Sequence, residues 1–150
     1  MILYKGTDKN NSPFQPQPVH NDDIKKFPEP TPEGVIFATD SETHAKIFAV
    51  FSGIVSFGTV MSPDEKKRQI ILRGEIREED LEEKVYVHEF DSEEGDWKYI
   101  KESGEWYSTE EQIPSATKEY TRRELYKELQ ENSEIEFVQE FEIEGDLPLS

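Results

Sequence analysis

Two short segments of the chain combine apolar residues with small or hydroxylated residues in a pattern that suits ligand binding. The first is LYKGT at residues 3–7, and the second is VIFATD at residues 35–40, which leads into AKIFA at residues 45–49. Each has the pattern of a short buried strand that ends in a small or hydroxylated residue, where the polar group of a ligand can approach the backbone. The second segment leads directly into a helix. Nucleotide pockets are commonly built in this way, so these segments are the first candidates for a functional site.

Other chemistry-bearing patterns are sparse. The chain has no cysteine and no Gly-x-Ser-x-Gly elbow, which excludes thiolate chemistry and gives little support to a hydrolase. The three histidines, His20, His44 and His88, do not have the spacing of metal ligands, and we expect no metal site. Neither a GxGxxG fingerprint nor a GxxxxGK loop occurs, so a bound nucleotide would require another architecture.

In the first third of the chain, the residue pattern predicts a loop between these two segments and a helix after the second strand. Residues 12–32 hold six of the nine prolines, which favours an extended surface loop, with a lid over a pocket as one functional possibility. Asp40 or Ser41 is expected to cap a helix that ends at Ser52 and Gly53. A strand over residues 54–60 follows, in which Gly58 suggests a bulge or a tight bend.

In the rest of the chain, the residue pattern predicts short strands and one helix with a clear capping signal. Residues 75–83 are acidic and form either a short helix or a loop. Thr121 and Glu124 match a capping box, which begins a helix that runs to Asn132. The strands are expected at residues 69–73, 84–90, 97–100, 105–108 and 135–143, with the third and fourth joined as a hairpin.

This order of elements indicates an α+β fold. Strands dominate and few helices interrupt them, so we expect one or two mainly antiparallel sheets in a single domain over residues 1–150. Because 11% of the residues are aromatic, the chain is not that of a disordered protein despite its low mean hydropathy of −0.83.

The net charge of −17 is concentrated in the second half of the chain. Residues 1–75 carry ten acidic and nine basic side chains, whereas residues 76–150 carry twenty-four and eight. Such a surface repels phosphates, so a nucleic-acid partner is not expected, whereas a basic partner is favoured. No stretch has the apolar length of a membrane helix or the form of a leader, which predicts a cytoplasmic protein without a membrane partner.

Several short motifs together resemble the ADP-ribosyltransferase-like fold. They are YKGT at residues 4–7, FAT at 37–39, VYV at 85–87 and WYSTEEQIP at 106–114. They look most like small bacterial branches such as rifampin-modifying enzymes and RNA 2'-phosphotransferases. The resemblance implies a split β-sandwich that binds NAD in its cleft and a reaction that breaks the bond between nicotinamide and ribose.

The same resemblance assigns expected roles to individual residues. Lys5 falls where the family has a histidine or arginine in its first strand, followed by the retained Gly6 and Thr7. Phe37 takes the place of an aromatic residue or serine, where its ring would stack on nicotinamide. The carboxylate that stabilises the transition state falls on Glu111 or Glu110, and the register between the two stays open. Tyr4 and Thr39 are expected to complete the NAD-binding set.

The resulting hypothesis is an enzyme that transfers ADP-ribose from NAD to a small-molecule or basic protein acceptor. Lys5, Glu110 and Glu111 would take part in the chemistry, while Tyr4, Gly6, Thr7, Phe37 and Thr39 would bind the nucleotide. The alternative is a catalytically inactive acidic protein, for example from a mobile element, that occupies a basic surface of its partner.

Overall fold

The computed structural model describes residues 1–10, 12–27 and 31–140. Its first half contains four strands, a short 3₁₀ helix at Asn21–Lys26 and one α-helix. The strands β1 to β4 are Ile2–Thr7, Gln17–Pro18, Gly34–Ala38 and Ser56–Met61, and helix α1 is Glu42–Phe51.

The second half contains six strands, a 3₁₀ helix at Glu78–Glu82 and a second α-helix. Helix α2 spans Arg122–Glu131 and connects the last two strands. The strands β5 to β10 are Arg68–Arg73, Lys84–Asp91, Trp97–Ile100, Glu105–Ser108, Ala116–Thr121 and Ile135–Glu140.

The strands form three sheets that are mostly antiparallel. The first has the order β1-β6-β9, the second β10-β5-β4, and the third β2-β3-β8-β7. Among the strands of the described residues, only β10, which pairs with β5, runs parallel to its neighbour. The predicted α+β class is therefore confirmed, with three sheets in place of one or two. Neither α-helix of the described chain has the length and apolar character needed to cross a bilayer.

Helix α1 is held at both ends by the residues that the sequence marks. The hydroxyl of Ser41 accepts a hydrogen bond from the backbone N–H of His44 at 3.1 Å, so Ser41 is the N-cap rather than Asp40. Gly53, with φ of +82°, turns the chain away after the helix. Ala45 and Ala49 face β1 and are at most 1% exposed, which brings helix and strand into close contact.

Helix α2 confirms the predicted capping box and contributes a buried arginine. The Thr121 hydroxyl accepts from the backbone N–H of Glu124, and the Glu124 carboxylate accepts from the N–H of Thr121. Arg122 is 1% exposed and donates to the Glu83 carboxylate at 2.7 Å and to the Ser52 carbonyl at 3.1 Å. This arginine ties α2 to the end of α1.

The buried side chains fall into three clusters. The largest lies between the helices and the sheets that contain β5 and β6, and it is built mainly from aliphatic residues and Phe51. The other two lie against the third sheet and contain most of the buried aromatic rings. The first of these includes Phe14, Phe90 and Trp97, and the second includes Phe27 and Tyr107.

Several sequence predictions need correction. Strand β9 was not predicted, because its residues ATKEYT are polar and mostly exposed. Residues 12–27 are not simply an extended loop, since they contain β2 and a 3₁₀ helix, and Phe14 and Phe27 are buried. Gly58 pairs in regular register with Ile71, without a bulge. The predicted end of the last strand, residues 141–143, lies outside the described residues.

Candidate functional site

The strands β1 and β3 belong to different sheets and are joined by one isolated backbone bridge. The backbone N–H of Tyr4 donates to the Thr39 carbonyl at 2.6 Å, and the N–H of Thr39 donates to the Tyr4 carbonyl at 2.9 Å. No further ladder joins the strands within the described chain, which leaves Gly6 and Phe37 on the two sides of a gap. We call residues 4–7 and 36–39 with this gap the β1–β3 seam.

A cavity of about 80 Å³ opens at the seam and extends to helix α1. Five of the residues predicted from the sequence line it: Tyr4, Lys5, Gly6, Phe37 and Thr39. Helix α1 contributes His44, Ala45 and Phe48 to the rest of the wall. Ala38 at the end of β3 and Glu105 at the start of β8 complete it. We call this space the seam cavity. The structure thus brings together most of the predicted nucleotide-binding residues.

Gly6 was predicted as an NAD-binding residue, and the structure shows that it is needed for the packing of helix α1 on β1. A Cβ atom at this position would lie 1.8 Å from the carbonyl oxygen of Ala45 and 2.8 Å from the backbone nitrogen of Ala49. Both are backbone atoms of helix α1, which cannot yield as a flexible side chain does. The glycine is therefore required for the close packing of α1 on β1, whether or not a ligand also approaches it.

Lys5 spans the seam. Its ammonium donates a hydrogen bond to the carbonyl oxygen of Phe37 at 3.0 Å, so the side chain reaches from one sheet to the other. Burial lowers the pKa of Lys5, while the carboxylate of Glu105 opposes that shift. The lysine is thus an internal donor rather than a charge on the open surface.

Glu110 and Glu111, the predicted carboxylates, do not line the seam cavity. Both are exposed, in the turn that follows β8. The backbone N–H of Glu110 donates to the Ser108 hydroxyl at 3.2 Å, and the Glu111 carboxylate accepts a hydrogen bond from the Gln15 side chain. They lie at the end of β8 that points away from the contact between β1 and β3.

The carboxylate that does reach the cavity belongs to Glu105. Strand β8 runs antiparallel to β3 with Trp106 opposite Ala38, which brings the residue before Trp106 next to Thr39. Glu105 forms an ion pair with Lys26 at 3.1 Å, and about a third of each side chain is exposed. Sequence reasoning missed this residue, because its position beside Thr39 depends on how β8 pairs with β3.

Aromatic rings form a large part of the cavity wall. Phe37 and Phe48 face it from β3 and α1, and the His44 ring lies 5.1 Å from the Phe48 ring. Burial and the nearby Arg68 lower the pKa of His44, so its imidazole is neutral near pH 7. The cavity therefore offers flat apolar faces, one ammonium, one carboxylate and one neutral imidazole.

A second, larger space also borders β1 and shares Lys5 with the seam cavity. It measures about 380 Å³ and is bounded by Lys5, Thr7 and Ile36 together with residues 13–17. Phe14 ties these residues down through two backbone hydrogen bonds to Gln112, at 2.9 and 3.0 Å. We call this space the strap groove, because residues 13–17 cross it as a fixed strap. Thr7, the remaining predicted ligand residue, lies in this groove and not in the seam cavity.

His88 lies beneath the strap groove and is fully buried. The Thr7 hydroxyl donates to the Lys9 carbonyl at 2.7 Å, so it accepts from Nε2 of His88 at 3.0 Å. Nδ1 of His88 then accepts from the Thr117 hydroxyl at 2.9 Å. Burial and the charge of Lys5 lower the pKa of His88 to about 4, and the ring is neutral in the folded protein.

Comparison of the chain with protein-family models, with curated proteins and with solved structures found no match. The function is therefore argued from the geometry of the seam cavity and its neighbours.

Proposed function

We propose that the seam cavity binds the nicotinamide end of NAD and that the protein transfers ADP-ribose from NAD to an acceptor. One observation carries this proposal. Tyr4, Lys5, Gly6, Phe37 and Thr39, which the resemblance to ADP-ribosyltransferases selects from two distant segments, line a single cavity. The backbone bridge between Tyr4 and Thr39, which joins two antiparallel sheets, also supports a split β-sandwich of that family.

The size and lining of the cavity suit a ring rather than a whole dinucleotide. Ligand pockets usually measure roughly 300–1,000 Å³, whereas the seam cavity measures about 80 Å³. The nicotinamide ring of NAD is cationic, and the faces of Phe37 and Phe48 attract a flat cation. The rest of the ligand requires the 380 Å³ strap groove, which shares Lys5 with the cavity. Binding would therefore move the Lys5 ammonium away from the Phe37 carbonyl.

In this proposal Glu105 takes the role that the resemblance assigned to Glu110 or Glu111. In the proposed reaction the bond between ribose C1' and nicotinamide breaks, the leaving nicotinamide keeps the electron pair, and the acceptor bonds to C1' as it loses a proton. The Glu105 carboxylate would stabilise the positive charge that develops on the ribose. Its ion pair with Lys26 reduces that effect, so the lysine must turn away for full stabilisation.

Lys5 and His44 would orient the ligand. Once released from Phe37, the Lys5 ammonium can donate to a ribose or phosphate oxygen. The neutral His44 imidazole can exchange a hydrogen bond with the carboxamide of nicotinamide, because one ring nitrogen donates and the other accepts. Thr39 and Tyr4 fix the strand contact at the cavity mouth.

The test combines thermal unfolding with an assay of released nicotinamide. With about 1 mM NAD we expect a higher melting temperature and slow release of nicotinamide from the native protein. Glu105→Gln should lower the release rate about 100-fold while the protein stays folded. Glu111→Gln, the matched control outside the cavity, should leave the rate unchanged. Equal rates in native protein and Glu105→Gln, or no thermal shift with NAD, would overturn the proposal.

A second candidate is supported by the unequal charge of the two halves. Residues 76–150 hold twenty-four of the acidic side chains, and the exposed strand β9 and helix α2 present several of them. A catalytically inactive protein that covers a basic partner would use this surface. It would show no thermal shift with NAD, and its complex would weaken steeply with salt.

A further inference from the structure

A groove on the third sheet collects lysines in a chain that is otherwise strongly acidic. It lies between the segment that ends with Phe27 and the end of β7, and it measures about 430 Å³. Its floor contains Phe27, Ile100 and Tyr107, and its rim contains Tyr99 and one carboxylate, Glu102. Four ammonium groups surround it: Lys25, Lys26, Lys98 and Lys101. We call this the lysine groove.

Basic side chains differ in their ion pairing across the described part of the chain. Elsewhere a cation is commonly paired, as Lys46 is with Glu128 at 2.8 Å and Arg123 with Glu82 at 2.7 Å. In the groove Lys26 pairs with Glu105. Lys25, Lys98 and Lys101 form no ion pair with any residue in the described part of the chain. Lys66, Lys67 and Lys127 likewise form no ion pair with a described residue. The distinguishing feature of the groove is therefore that four of the seventeen basic side chains line one space.

We propose that the lysine groove binds a phosphate-bearing small molecule. A phosphate carries close to two negative charges and accepts several hydrogen bonds, which suits ammonium groups that converge from two separate segments. The volume is that of a typical ligand pocket, and the Tyr99 side chain, 53% exposed, offers a flat face beside the charges. The groove and the seam cavity share no lining residue, and the ion pair of Lys26 with Glu105 connects them.

Titration calorimetry with pyrophosphate and with ADP tests this site. Both should bind the native protein at low salt, and binding should weaken as salt rises from about 50 to about 200 mM. The double variant Lys98→Gln/Lys101→Gln should lose about tenfold or more in affinity for both probes. The matched control, Lys66→Gln/Lys67→Gln, makes the same charge change in an exposed turn outside the groove and should stay within about twofold.

Each other outcome overturns the proposal. If the two double variants weaken binding equally, the effect is that of overall charge and not of a site. If neither probe binds the native protein at about 1 mM, the groove has no affinity for phosphate. If only vesicles with anionic headgroups bind, the lysines contact a lipid surface. If Phe48→Ala, which changes a residue that lines the seam cavity and not the groove, removes ADP binding while the groove variant retains it, ADP occupies the cavity instead.

Discussion

The two sides of β1 contrast sharply. At Gly6 the strand is packed tightly on helix α1, since a Cβ there would overlap the backbone of Ala45, and both Ala45 and Ala49 are buried. Toward β3 the same strand makes one pair of backbone hydrogen bonds and then separates to leave the seam cavity. One side of β1 therefore stabilises the fold, and the other provides space for a ligand.

The side chains near the two sides differ accordingly. The core around α1 consists mostly of aliphatic residues that are no more than 3% exposed. The seam instead combines aromatic rings with Lys5 and Glu105, whose charges are close to each other but not directly paired. Charged groups in a partly buried gap add little stability, so their presence is better explained by binding. This contrast leads to three predictions.

The largest effect is expected on the packed side. Gly6→Ala should lower the free energy of unfolding by about 3 kcal/mol or more, because the added methyl group forces α1 away from β1. Urea denaturation measures the loss. Gly58→Ala is the control, since a Cβ there meets no atom within 4 Å, and it should change stability by less than about 0.5 kcal/mol. Similar losses in the two variants would show that the contact with α1 is not tight.

An intermediate effect is expected from His88, beneath the strap groove. The pKa of His88 is about 4 in the folded protein and near 6.5 in an unfolded chain. Between these values the unfolded state binds more protons, so the free energy of unfolding should fall as pH decreases from about 6.5 to about 4, by up to about 3 kcal/mol.

His88→Gln isolates this contribution, because glutamine can still bond to Thr7 and Thr117 but does not titrate. Urea denaturation at several pH values should give a shallower pH dependence in the variant. The carboxylates are common to both proteins and cancel in the difference. Parallel curves would mean that His88 is accessible to protons in the folded state.

The smallest effect is expected at the seam itself. Lys5→Met should change the free energy of unfolding by less than about 1 kcal/mol, because losing the hydrogen bond to Phe37 is offset by removing a buried charge. Leu3→Ala, on the same face of β1 and fully buried, should cost about 3 kcal/mol. If Lys5→Met lowered the free energy of unfolding as much as Leu3→Ala does, the lysine would be needed for stability. The contrast between the two sides of β1 would then be wrong.

Local sequence signals predicted much of the fold. The hairpin of β7 and β8 occupies the predicted residues 97–100 and 105–108, and the capping box of α2 begins where Thr121 and Glu124 indicate. Strand β9 was missed because its side chains point largely to solvent, so its pairing with β6 depends on backbone hydrogen bonds that leave no apolar pattern.

The candidate site was predicted only in part. Tyr4, Phe37 and Thr39 come together because the middle of β1 pairs with Thr39, which directly follows β3. The choice between Glu105 and the glutamates at 110 and 111 depends on the register of β8 against β3, and a one-dimensional pattern does not contain that information. The lysine groove likewise arises only when residues 25–26 and 98–101 are folded together.

The most direct test of the account is an amide chemical-shift titration with NAD. If the β1–β3 seam is the binding site, the backbone amides of Lys5, Gly6 and Thr39 should shift with increasing NAD. Those of Leu125 and Leu129, in the aliphatic core on α2, should stay fixed. Shifts at Glu110 and Glu111 without any at the seam, or no shifts at all, would contradict the claim that the gap between the two strands is a ligand site.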